Sequence, residues 1–106
     1  MWLNMKYKRE KLRKLEKNRY SLLTDNLKKC YVCNSTFNIE LNELFAGSFR
    51  QRSMIYGAVI PMCHSCHQDF HNHFDMQLYY QKEYQREFEK THSRDEFISI
   101  FMKSRL

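Results

Sequence analysis

Glycine and proline are nearly missing from this chain, with two and one in 106 residues. That scarcity argues against a turn-rich all-β fold and against a disordered linker protein. Long apolar runs are missing as well. None approaches the ~18 residues of a membrane span, which excludes a transmembrane reading and a membrane partner. The opening Met1-Trp2-Leu3-Asn4-Met5-Lys6 lacks the apolar segment and small-residue cleavage site of a secretion signal, so a cytoplasmic location is expected. The length suits one domain. Aromatic residues make up 15% of it, enough for a small core of large side chains, although a core of this size gains from a staple.

Acidic side chains are scarce where basic ones are dense. Residues 1–20 hold eight cations (Lys6, Lys8, Arg9, Lys11, Arg13, Lys14, Lys17 and Arg19) against Glu10 and Glu16. The surplus of six equals the net charge of the whole chain, because residues 21–106 balance. Two readings stay open. Cations near phosphates release counterions and give salt-sensitive binding that is blind to sequence. Alternatively the segment is a solvated helix face with pairs such as Glu10–Lys14.

The cysteines supply a candidate staple. They fall in two pairs, Cys30-Tyr31-Val32-Cys33 and Cys63-His64-Ser65-Cys66. In a reducing compartment, paired C-x-x-C units favour a tetrahedral four-thiolate site for structural zinc. The 29 residues between the pairs exceed the 15–20 of a simple zinc ribbon, so structure of its own is expected there.

Along the chain, residues 5–20 predict a helix with a thin apolar stripe at Met5, Leu12 and Leu15. Ser21–Thr24 predicts a short strand and Asp25-Asn26 a turn. Loose alternation from Phe37 to Phe45 predicts a strand, with Phe37, Ile39 and Leu41 on its apolar side. Gly47–Ser53 reads as a loop, and Gly57–Met62 as a strand feeding the second knuckle. Cys66–Phe74 starts a helix with His67 and His71 on one face. Met76–Lys90 repeats Leu78, Tyr80, Tyr84 and Phe88 at helical spacing. Ser93 with Glu96 fits a capping box before a last helix whose apolar face is Phe97, Ile98, Ile100 and Phe101. Both C-terminal helices are expected to cover a small core.

These features together resemble one family. The two C-x-x-C units, Glu40-Leu41-Asn42-Glu43-Leu44-Phe45-Ala46-Gly47 with Arg50 and Ser53, Tyr56-Gly57 before the Val-Ile-Pro strand, and Cys66-His67 with His71 are similar to HNH nucleases of the ββα-metal class. Within that class the likeness is to small phage-type proteins with a four-cysteine zinc site. The resemblance, which covers roughly residues 20–106, implies an α+β fold with a small zinc-stapled ββα-metal core and C-terminal helices over residues 21–106; the charge count adds a basic helical arm at 1–20. The resemblance also implies a chemistry of metal-assisted phosphodiester hydrolysis. In that family a strand histidine is the general base, the residue before it is a metal ligand, and a helix histidine completes the metal site.

The likeness breaks at those positions. Glu43 stands where the general-base histidine would be, Asn42 at the first ligand, and Phe49 where a loop asparagine is expected. Only His67 is kept. A neutral amide is a poor ligand for a hard cation, and an ordinary carboxylate is a weak base at neutral pH. The reading that follows is an HNH-derived zinc protein that does not cut and instead binds DNA, RNA or a nucleic-acid-processing protein. Arg50 and Arg52 are a second place to meet phosphate. One alternative is a variant nickase using Glu43, His67 and His71 with Mg²⁺, Mn²⁺ or Ni²⁺. The other, implied by the phage-type likeness alone, is an inhibitor of a host defence or replication protein, acting in the host cytoplasm.

Overall fold

The first helix runs through the lysine- and arginine-rich segment and ends where an arginine turns back on it. This computed structural model describes residues 2–106, with side chains from Arg9 onward. The side chains of Lys6 and Lys8 lie outside that range. Helix α1 spans Trp2–Lys17 and stops three residues before the expected end. Arg19 Nε donates to the Glu16 carbonyl at 3.0 Å, which satisfies one carbonyl that a continuing helix would have used.

Strand β1 (Ile39–Glu43) and strand β2 (Val59–Cys63) form an antiparallel ribbon. Ile39 lies opposite Cys63 and Glu43 opposite Val59, so Glu40 and Met62 share one face. The sequence between the strands is more ordered than the expected loop. A single 3-10 turn at Gly47–Phe49 leads into helix α2, Arg50–Ile55. Ser53 makes this possible: its buried hydroxyl donates to the Phe45 carbonyl at 2.7 Å and accepts from the Phe45 N–H at 3.2 Å.

Helix α3 (His64–Asn72) follows β2 without a linker, and helices α4 (Phe74–Phe88) and α5 (Arg94–Phe101) complete the α+β fold. The expected capping box is present, with Ser93 accepting from the Glu96 N–H at 3.1 Å. The core is aromatic. Phe45, Tyr84, Phe88, Phe97 and Phe101 are buried together under Ile60 and Met62 of the sheet. The C-terminal tail closes it: Gln85, fully buried, accepts from the Arg105 N–H at 2.7 Å and donates to Ser104 Oγ at 2.9 Å.

Three further local expectations fail, each for a physical reason. Ser21–Thr24 is not a strand. The Ser21 and Thr24 hydroxyls accept from backbone N–H groups two residues on and turn the chain. Phe37 is 75% exposed, because β1 begins only after Asn38, whose φ of +52° breaks the extended run. Ile98 sits one residue off the Phe97–Phe101 stripe and is exposed. Among the described residues, no helix is long and apolar enough to cross a membrane.

Candidate metal centre and basic face

The first knuckle is built from backbone. The Cys30 N–H donates to the Ser35 carbonyl at 2.7 Å and the Asn34 N–H to the Cys30 carbonyl at 3.0 Å. Asn34 takes φ +68° to close the turn, and the Cys33 N–H points at Cys30 Sγ at 3.5 Å. The Tyr31 N–H then ties the knuckle to β2 through the Pro61 carbonyl at 2.8 Å. The second knuckle uses a helix start. Cys63 is the N-cap of α3, and its sulfur accepts from the Cys66 N–H at 3.5 Å.

The four sulfurs of Cys30, Cys33, Cys63 and Cys66 all lie within 4.8 Å of one another. Sulfurs about 2.3 Å from a tetrahedral zinc would sit about 3.8 Å apart. Cys33 Sγ and Cys63 Sγ are 3.7 Å apart, which fits that edge and is much too long for a disulfide. The thiols also oppose each other's ionisation. Burial pushes Cys30 up, but N–H groups of Cys33, Cys63 and Val32 outweigh it and bring the thiol down to about 6. At Cys33 a bond from Ser35 pulls down, yet the Cys30 and Cys63 thiols leave it raised. Cys66 is raised by burial and by the other three cysteines. One sulfur ionises readily and its neighbours then resist, a conflict that a bound cation removes. The cluster is therefore suited to a metal ion such as zinc. Among the described residues it is the one such convergence of three or more His, Cys, Asp or Glu ligands.

Beside it stands a histidine chain centred on a residue the sequence did not single out. Glu40 Oε1 lies 2.8 Å from His67 Nδ1, and Glu40 Oε2 lies 3.2 Å from His64 Nδ1. Hydrogen bonds from His67 and then His64 hold the Glu40 carboxyl below its ordinary range, so it is ionised and the imidazoles donate. His67 then carries its proton on Nδ1, leaving Nε2 to face His71 Nε2 at 3.0 Å. Glu43 is elsewhere. Alternation along β1 puts it on the opposite face, where Arg19 Nη1 (3.0 Å) and Arg50 Nε (3.4 Å) hold its Oε1. Asn42 is 2% exposed and gives its amide to the Met62 sulfur at 3.5 Å. A strand pattern assigns faces but does not say which face the following helix covers, so Glu40 carried no signal of its own.

The basic residues divide into two groups. Arg19 and Arg50 are occupied by Glu43, and Arg50 also by Glu16 at 3.3 Å. Arg52 donates to the Ile100 carbonyl at 2.9 Å and lies over the Phe49 ring at 5.4 Å. Arg9, Lys11, Arg13, Lys14 and Lys17 are exposed, and none forms an ion pair among the described residues. Leu12 and Leu15, half-buried, turn towards Ile55 of α2.

No family model, curated protein or solved structure matches this chain.

Proposed function

We propose that this protein is a zinc-stapled, HNH-like scaffold that binds nucleic acid without cutting it. The observation that carries the reading is the set of five exposed cations on α1 that form no ion pair among the described residues. That helix is moored to the body, since Glu16 pairs with Arg50 and the adjoining Arg19 with Glu43. Moored cations present a fixed charge array to a phosphate backbone. The HNH-like part of the proposal is supported by the order of ribbon, knuckle and helix, with His67 on α3. The absence of cutting is supported by Glu43, closed in by two arginines, and by Asn42, buried on a sulfur. Neither is free to activate water.

The test is a salt titration of DNA binding with the zinc-loaded full chain. Five phosphate contacts give a slope of log affinity against log salt near −4.5 for duplex, or about −3.5 for single strands. Replacing Lys11, Lys14 and Lys17 by glutamine is expected to flatten it by about 2–3. A variant that binds as the wild type does would remove α1 as the contact surface.

A second reading has one specific observation in its favour. Two nitrogens bound to one metal at about 2.0–2.1 Å are about 2.9–3.4 Å apart, and His67 Nε2 and His71 Nε2 meet at 3.0 Å. A carboxylate on the far nitrogen of His67 orients it as metal-bound histidines commonly are. A divalent ion held there would make the protein a variant nickase whose carboxylate support is Glu40.

A further inference from the structure

The basic helix and the body meet along a notch that the metal sites do not use. It is a cavity of about 410 Å³ with Leu15, Met54 and Ile55 for its floor and Lys11, Lys14 and Asn18 along its rim. Positions 11, 14, 15 and 18 follow helical spacing, so one stripe of α1 supplies both the apolar floor and the charges. Tyr20 forms the remaining wall. Its hydroxyl donates to the Ile55 carbonyl at 2.7 Å, which fixes the ring. The ring edge rests on Gly57, where a Cβ would come within 2.6 Å of Tyr20 Cε2, and Gly57 holds φ +70°. Despite these restraints Tyr20 stays 45% exposed, and Ile55 beside it 43%. Leu22, against the same glycine, is exposed too. An exposed, immobilised aromatic ring beside an unpaired cationic stripe is the pairing that non-specific single-strand binders use. A duplex keeps its bases stacked and offers this ring nothing.

We infer that the notch takes one unstacked base of a single-stranded nucleic acid, against Tyr20 and Ile55, with the flanking phosphates on Lys11 and Lys14. The inference rests on the nucleic-acid reading above and adds to it a preference for single strands over duplex. The charged rim favours a polyanion over an apolar peptide side chain as occupant.

The experiment uses the zinc-loaded full chain, a labelled oligothymidylate and a labelled duplex of equal length, at one fixed salt concentration. The single strand is expected to bind more tightly than the duplex. Tyr20→Leu is expected to weaken single-strand binding about five- to a hundredfold and leave duplex binding unchanged. Tyr20→Phe keeps the ring and is expected to keep the binding. If Tyr20→Leu melts below the assay temperature, Ile55→Ala on the exposed notch floor replaces it, with loss in the same direction. Equal binding of both probes, or a Tyr20→Leu variant that loses neither or both equally, overturns the notch while the basic-helix reading stands. No binding of either probe by the wild type overturns both and leaves a protein ligand as the occupant.

Discussion

Stripping the metal from the four-cysteine cluster is expected to unfold the body of the protein. The reason lies in what the first knuckle has to hold on with. Between the end of α1 at Lys17 and the start of β1 at Ile39 there is neither helix nor strand. That segment is tied to the body by isolated backbone bonds, Leu22 to Gly57 at 3.0 Å and Tyr31 to Pro61 at 2.8 Å. Side-chain bonds from Arg19 to Glu43, from Tyr20 to the Ile55 carbonyl and from the Tyr31 hydroxyl to Glu83 of α4 add three more, and two of these lie before the knuckle. Yet Cys30 is 1% exposed and belongs to the core, so losing the knuckle opens the core. Zinc binding to structural sites is worth about 10–16 kcal/mol in small peptides. A domain of this size is stable by only about 5–15 kcal/mol. The far-UV circular dichroism and thermal transition of the full chain should therefore collapse after chelation, and elemental analysis should find one zinc per chain beforehand. Cys63→Ser should act alike, because serine can still cap α3 but supplies no thiolate to the cluster. An unchanged transition after proven metal loss would remove the staple from the account of this fold.

Phe45→Ala is expected to cost about 3–5 kcal/mol. Phe45 follows β1 and is 2% exposed. Its ring stacks on Phe101 at 4.2 Å and meets Tyr84 and Phe97 edge-on, each at 5.9 Å. The Arg105 guanidinium lies 4.8 Å over it. One side chain therefore joins the sheet to α4, α5 and the C-terminal tail. Neighbours fixed on three separate elements cannot all move inward, so the cavity persists. A melting temperature lower by roughly 15–30 °C is the corresponding observable. Phe37→Ala is the control: at 75% exposure it should change stability by no more than about 0.5 kcal/mol. Equal effects at the two positions would contradict the packing described.

What the sequence made legible was local or imposed by chemistry. A metal ion dictates the spacing of its ligands, so the pairs Cys30/Cys33 and Cys63/Cys66 announced themselves. The Ser93–Glu96 box is closed within one helical turn. The Tyr84–Phe88 and Phe97–Phe101 spacings are set by the helix period and did turn to the core. The rest depended on distant partners. Arg50–Ile55 lacks glycine and proline, yet its first four residues, Arg50 to Ser53, read as loop after Gly47-Ser48 until Ser53 is seen to anchor them to Phe45. The charge of residues 1–20 could be counted, but Arg19 and Glu16 bind Glu43 and Arg50 from across the fold. Glu40 and Glu43 differ by one strand alternation more than the eye allows: three residues put them on opposite faces, one with His67, the other between arginines.

The most direct measurement is incubation of zinc-loaded wild type with supercoiled plasmid in the presence of Mg²⁺, Mn²⁺ or Ni²⁺, read on one gel for mobility and for nicking. The expected result is plasmid retarded at low salt, released at high salt and still supercoiled with every metal. Nicking by the wild type that disappears in His67→Ala would contradict a binding protein that does not cut, and would put catalysis at the Glu40–His67–His71 chain.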